Sequence, residues 1–424
     1  MAISQKPTWL HSALSLASGR SNRILRILIA IGVVMLIIRY SSLDLPLYQS
    51  SLSMPTQKKK PEYSSSILTL TRQDKYSVQS RTLARAGNST LGFSSIEFIN
   101  LKHRFDRLDA ATLQAYLSGL DISEAAGVQS DDIHDAGMPP THRIGVIRDG
   151  EKGCWRAHAN IWSRMLRDKS PAVLIIESDA AWDINIRDIM STLNPHFTDL
   201  LRRLDSKPIP DAAWNAGRPH NTSHDSLQLN PNDPWHSRHW DMLSFGQCFE
   251  SSVNSEVSLS YPDKHVTEGK DYFGQTLGHD RVVRLSGGIV CTTAYAVSRT
   301  GAAKLLLRSA VDLDNPVDLL MRRMTLSGDL IVYSVMPTVF AQWEYVEKIG
   351  MTERGANSDI NSATSDAEID MTGWADVEKT GSVWQDKQYH PDIAFENMAL
   401  EKAWSLILPN ASLAESQYHE DEGN

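Results

Sequence analysis

Apolar and polar positions change their period several times along the chain, and each change marks an element. From Ile24 to Ile38, ILRILIAIGVVMLII is apolar for fifteen residues apart from Arg26. Residues 41–93 then show no sustained period and are rich in Ser, Thr, Gln and Lys. Ile96, Phe98 and Ile99 predict a short strand, and Asn100 to Arg107 a polar, basic exit from it. Helical spacing follows over Ala110–Leu120 and again over Cys154–Arg167, where Trp155, His158, Ile161, Trp162 and Met165 share one face. AVLII, Ala172 to Ile176, predicts a buried strand, and a helical stretch runs from Asp183 toward Leu204.

The second half reads less regularly. Residues 205–238 are loop-like, WDMLSFGQC predicts a strand, and a further irregular stretch separates it from GGIVCTTAYAVS. RTGAAKLLLRSA and NPVDLLMRRM predict helices, LIVYSVMPTVFAQW is strand-rich, and the composition turns polar beyond Glu344. No internal repeat is present. Alternating strands and helices predict an α/β domain built on a mostly parallel sheet.

Composition adds a setting. The 424 residues are 41 % hydrophobic and 22 % charged, enough for a sizeable core. A net charge of −9, with no basic stripe interleaved with aromatics, argues against nucleic acid as a partner. The apolar run is short of the roughly 20 residues of a full span, and a cleaved signal peptide is the competing reading. No small-x-small cleavage site follows it, however, and Arg20, Arg23 and Arg26 lie upstream against Arg39 alone just downstream. The positive-inside rule then predicts a cytosolic tail over 1–23, a transmembrane signal anchor over 24–40 and a flexible stem over 41–93. A globular domain is expected over 94–345, with a C-terminal extension over 346–424 partly packed on it. The lumenal side would carry the sequons at Asn88, Asn221 and Asn410. Three cysteines in an oxidising lumen imply one disulfide and one thiol. Three pairings are open; Cys248 and Cys291 are favoured, because SFGQC and GGIVC read as neighbouring strands.

The candidate chemistry lies where AVLII runs into Glu177, Ser178 and Asp179, with Asp183 following. Ser and Asp are good helix caps. Open α/β sheets, on the other hand, bind ligands beyond the carboxyl ends of their strands, and carboxylates there suit a hard cation. Asn100, Arg104 and Arg107 leave the first strand and could meet phosphate, or form a solvated turn with Asp106 and Asp109. His158, on an apolar helix face, reads as a core residue. Glu151 reads as a cap of that helix or a pocket residue, and Gly287-Gly288 as a tight strand entry.

Four segments in order resemble glycosyltransferase family 25, the lipopolysaccharide-biosynthesis and collagen-galactosyltransferase family, in the branch found in fungi. INLKHRFDR resembles its opening I-N-L-x-x-R-x-x-R, and GEKGCWRAH its G-E-x-G-C-x-x-S-H, with Ala157 in place of Ser. LIIESDAAWD resembles its L-I-L-E-D-D strand end, and AYAVSRTGAAKLL with NPVD its late A-Y-x-x-S-x-x-G-A and P-V-D. The family has Asp where Ser178 stands.

The resemblance implies a GT-A, Rossmann-like domain with a central mostly parallel sheet, here preceded by a single N-terminal transmembrane helix. It implies a UDP-sugar donor, Mn²⁺ or another divalent cation, and transfer of a hexose such as galactose to a hydroxyl of a protein or glycan. Glu177 and Asp179 are then the metal ligands, and Asn100, Arg104, Arg107 and Glu177 contact the nucleotide. Chemistry that inverts the anomeric centre requires a base on the face away from UDP. Asp318 of the P-V-D is the first candidate and Glu344 the second. A type II protein of the Golgi or endoplasmic reticulum membrane with a lumenal catalytic domain is expected. The competing expectation is an inactive lumenal binding protein on the same fold, and a glycosidase is a more distant one.

Overall fold

In a computed structural model, residues 85–210, 227, 230–349, 372–387, 395 and 397–410 are described. The predicted tail, the anchor, Asn221 and most of the stem lie outside them. Among the described residues no helix is long and apolar enough to cross a membrane.

Fifteen strands and seven α-helices lie along the described residues. The first half runs β1 (Ile96–Asn100), α1 (Phe105–Ser118), β2 (Ile122–Ala126), α2 (Asp149–Asp168), β3 (Ala172–Glu177), β4 (Ala180–Trp182) and α3 (Ile186–Arg203). Next come β5 (Met242–Ser244), β6 (Phe249–Glu250), β7 (Ser258–Pro262), β8 (Lys270–Tyr272), β9 (Gln275–Gly278), β10 (Asp280–Leu285), β11 (Ile289–Val290) and β12 (Ala294–Ser298). The chain closes with α4 (Arg299–Val311), α5 (Val317–Ser327), β13 (Val332–Met336), β14 (Phe340–Tyr345), α6 (Trp374–Thr380), β15 (Trp384–Asp386) and α7 (Ala399–Ile407).

Eight strands form the central sheet, in the order β2-β1-β3-β12-β5-β13-β10-β7. Six point one way; β12 and β10 oppose both of their neighbours. The sheet is therefore mostly parallel in direction but mixed in its ladders. β3 shows why AVLII is apolar throughout. Ala172, Leu174 and Ile176 enter a core shared with α1 and α3, while Val173 and Ile175 enter one shared with α2, α4 and α5. A strand covered by helices on both faces has no polar side. From β1 the chain steps outward to β2, then back across β1 to β3. Right-handed crossovers in opposite directions put α1 and α2 on opposite faces and bring the carboxyl ends of β1, β2 and β3 to one rim.

Several elements differ from the sequence reading. The first helix begins at Phe105 rather than Ala110, so the basic exit from β1 is itself the first helical turn. WDMLSFGQC holds only the short β5, in the central sheet, and β6 begins just after it and pairs with β11. The stretch read as irregular before Gly287 holds β7 and β10, which finish the sheet. β10 hides in the sequence because DRVVRL carries two arginines, both buried here. Asp263 meets Arg281 at 2.6 Å, and Arg284 lies 3.8 Å from Glu250. Residues 85–93, assigned by composition to the stem, also join the fold. Ala86, Leu91 and Phe93 are buried, and Phe93 stacks on Trp235 at 5.5 Å. A third core, holding Ala110, Trp343, Val377 and Leu400, carries the C-terminal elements.

Candidate active site

The rim formed by β1, β2 and β3 walls a cavity of about 300 Å³. Leu101 and His103 enter from the exit of β1, Val128 and Gln129 from the exit of β2, and Glu177, Ser178 and Asp179 from the exit of β3. The first turns of α2 close it. Gly153 is required there, because a Cβ at that position would lie 2.4 Å from the carbonyl oxygen of Val128. A second cavity of about 230 Å³ is lined by Glu151, Cys291, Thr292 and Asp318 among others, and it shares Cys154, Glu177 and Gln342 with the first.

Glu177 is the hub of this wall. Its Oε1 lies 3.1 Å from Nε2 of His158 and accepts from the Thr292 hydroxyl at 2.6 Å. His158 is held in turn by Tyr295, whose hydroxyl is 2.9 Å from Nδ1 and accepts from Trp162 Nε1 at 3.1 Å. Burial works to raise the Glu177 carboxyl, but the hydrogen bond and charge of His158, with Thr292 and Arg107, outweigh it and hold it below its ordinary range. His158 is thus more than a core residue, since it orients the carboxylate between the two cavities.

Arg107, in the first turn of α1, is buried and reaches across the first cavity. Its Nη1 donates to the Ser178 hydroxyl at 3.3 Å and lies 3.6 Å from Asp179 Oδ2. Trp343 backs the guanidinium, 5.6 Å from the ring centroid. Asp179 also accepts from Gln342 Nε2 at 3.1 Å. Asp183 plays a different part: it turns the chain into α3 by accepting from the Asn185 main-chain N–H at 2.7 Å.

The remaining candidates separate. Arg104 forks onto Asp106 at 3.0 Å, and Asn100 is buried with its carbonyl accepting from Gly127; neither lines a cavity. Asp318, in the first turn of α5, does line the second cavity. Burial raises its carboxyl above the ordinary range, aided by the charge of Glu177, although the main-chain N–H groups of Cys291 and Leu319 work against the shift. Glu344 is on β14, accepting from Gln385 and paired with Lys387 at 3.1 Å, and it lines neither cavity. Cys248 and Cys291 form a disulfide, and Cys154 is the free thiol. Burial, then the nearby carboxylates led by Glu177, push that thiol well above its ordinary range. Asn88 is half-buried and Asn410 exposed.

Thr292, Gln342 and Cys154 were not singled out as site residues in the sequence. Gln342 arrives on β14 and Thr292 from the connection between β11 and β12, both far in sequence from the E-S-D segment, so no local spacing marks them. Cys154 stands inside the GEKGC segment, which was its only signal. The site therefore sets Glu177, Asp179 and Asp318 against the buried Arg107. Hard oxygen donors at a strand mouth, with more negative than positive charge, fit a divalent cation and an anionic ligand that brings phosphate oxygens of its own.

Residues 94–225 match the family model described as glycosyltransferase family 25 (LPS biosynthesis protein). A protein of Anopheles gambiae, "Glycosyltransferase 25 family member", is 32 % identical over 251 residues, covering 56 % of this chain and 33 % of that protein. The chain thus matches about a third of that relative's length.

Proposed function

We propose, from the match of residues 94–225 to glycosyltransferase family 25, that the domain is of GT-A type and transfers a hexose such as galactose from a UDP-sugar to a hydroxyl of a protein or glycan. One observation carries this reading. Arg107, Ser178 and Asp179 face a cavity at the carboxyl ends of parallel strands, and Glu177 joins it to a second cavity that holds a raised carboxyl, Asp318.

In this reading the nucleoside enters between Leu101, His103, Val128 and Gln129. Its diphosphate meets the Arg107 guanidinium and the N-terminal turn of α2, whose main-chain N–H groups favour anions. Asp179 is the principal ligand of Mn²⁺ or another divalent cation, with Glu177 supporting it directly or through the ribose. When bound, the cation neutralises charge on the departing diphosphate. The acceptor hydroxyl occupies the second cavity. Its oxygen bonds to the anomeric carbon while the bond from that carbon to the phosphate oxygen breaks, its electrons leaving with UDP. The hydroxyl proton passes to Asp318. Glu344, paired with Lys387 outside both cavities, is the weaker candidate for that role. The apolar run at 24–40 and its upstream arginines support a type II arrangement in Golgi or endoplasmic reticulum membrane, with this domain lumenal.

Release of UDP from a panel of nucleotide sugars, with Mn²⁺ and the purified lumenal domain, tests the proposal. Slow hydrolysis of one donor, held or raised in Ser178→Asp, supports the transferase. Tight UDP binding with no turnover of any donor would instead mark an inactive binding protein.

A further inference from the structure

On the wall between the two cavities, three side chains of different chemistry converge. Cys154 Sγ, a ring nitrogen of His158 and a carboxylate oxygen of Glu177 all lie within 4.8 Å of one another. Cys154 and His158 are four residues apart on α2, so they share a face, and Glu177 meets them from the end of β3. In a tetrahedral zinc site, bond lengths of about 2.0–2.3 Å place ligand atoms roughly 3.3–3.6 Å apart. His158 Nε2 and Glu177 Oε1, at 3.1 Å, already span about one such edge. The widest separation closes with a shift of about 1 Å, within reach of a cysteine side chain that borders open space.

The surrounding contacts are also those of a metal site. A ligating imidazole is oriented by a partner on its other nitrogen, and a ligating carboxylate by a further hydrogen bond. Tyr295 is 2.9 Å from His158 Nδ1 and is itself fixed by Trp162; Thr292 donates to Glu177. Glu151, Asp179 and Asp318 add negative charge around the thiol.

We propose that Cys154, His158 and Glu177 form a three-ligand site for zinc, with the fourth position open to the cavities. To bind, the thiol and His158 Nε2 each give a proton to solvent, and His158 keeps its remaining ring proton on Nδ1, facing the Tyr295 oxygen. Thiolate and imidazole select zinc and cobalt over manganese and magnesium, which prefer oxygen. The site thus differs in kind from a manganese site at Asp179. Because Glu177 also borders the donor cavity, zinc there inhibits transfer; this consequence alone rests on the proposed function.

The test uses the full chain, freed of metal and titrated with Zn²⁺ against a chromophoric chelator, without nucleotide. One equivalent is expected to bind, and Co²⁺ to give a near-ultraviolet thiolate-to-cobalt band. The chain's other two cysteines form the disulfide, so that band reports Cys154. Cys154→Ser is expected to lose the band and at least tenfold in zinc affinity. Absence of stoichiometric zinc binding, or a cobalt spectrum without the band, would overturn the assignment, and the wild-type spectrum needs no variant to fold. Binding that survives Cys154→Ser but is lost in His142→Ala would overturn it too, placing the metal at the cluster of His142, Asp312 and Asp314.

Discussion

The main-chain N–H of Cys291 donates to Asp318 Oδ2 at 3.2 Å, while the Cys291 sulfur is bonded to Cys248. Cys291 has φ 68°, the left-handed region that ordinarily favours glycine. The cross-link therefore holds a main-chain amide that in turn holds a carboxylate of the second cavity. Cys291 lines that second cavity and not the first.

Removal of the disulfide in Cys248→Ala/Cys291→Ala should accordingly act on one side of the site. Transfer is expected to fall roughly 10- to 100-fold, as for misplaced catalytic groups, with UDP affinity within about twofold of wild type. The bridge spans 43 residues, so the variant should also lose about 4 kcal/mol of stability on the chain-entropy estimate. Both activities are therefore to be read at a temperature where circular dichroism shows the variant folded. An equal loss of UDP binding and transfer would refute a role confined to Asp318.

Asp318→Asn should cut transfer by roughly 10²-fold or more and leave UDP binding intact. The pH profile gives a second readout. A base must be unprotonated, and a raised carboxyl becomes protonated earlier on acidification. The acid limb of the wild-type profile should thus lie above the ordinary aspartate range. Stability has the opposite sign: a raised carboxyl favours the folded state at low pH, and that contribution is lost as pH rises through its folded value. Asp318→Asn should therefore be no less stable than wild type at neutral pH.

Arg107→Lys keeps the charge but loses the planar guanidinium whose Nη1 reaches both Ser178 and Asp179. UDP affinity is expected to drop roughly tenfold, about 1.4 kcal/mol, with the fold retained. Arg104→Lys should change UDP affinity little, since Arg104 pairs with Asp106 outside the cavity walls. A titration series in which Arg104 mattered more than Arg107 would contradict this geometry.

His158→Gln removes the group that holds Glu177 low, and should cost about 1–3 kcal/mol, the penalty for a poorly met buried polar group. A depressed carboxyl stabilises the fold above its unfolded value, 4.5, and loses that contribution as pH falls through its folded value. The stability difference between wild type and His158→Gln should therefore be full near neutrality and shrink below about pH 4.5. A difference that grew on acidification would reverse the sign assigned to Glu177.

How much of this was legible in the sequence depends on how each residue earns its place. The E-S-D strand end was visible because β3 is covered on both faces, and an apolar run that stops on acids stands out. Arg107 was visible as a basic residue leaving β1, but only its helical placement separates it from Arg104. β7 and β10 were invisible because Arg281 and Arg284 look solvated until Asp263 and Glu250 arrive from elsewhere in the chain. The bond between His158 and Glu177 joins a helix face to a strand end 19 residues away. Periodicity sees the first as core and the second as a rim, and cannot bring them together.

Calorimetric titration of UDP in the presence of Mn²⁺, on the wild-type protein and on Asp179→Ala, goes to the centre of the matter: whether the cavity at the ends of β1, β2 and β3 is the nucleotide-sugar site. Asp179 sits at the mouth of the sheet rather than in a core, so the variant should fold as wild type does. Stoichiometric Mn²⁺-dependent binding to the wild type, abolished in Asp179→Ala, is the expected result. Unchanged UDP affinity in a folded Asp179→Ala would contradict it and move the nucleotide elsewhere.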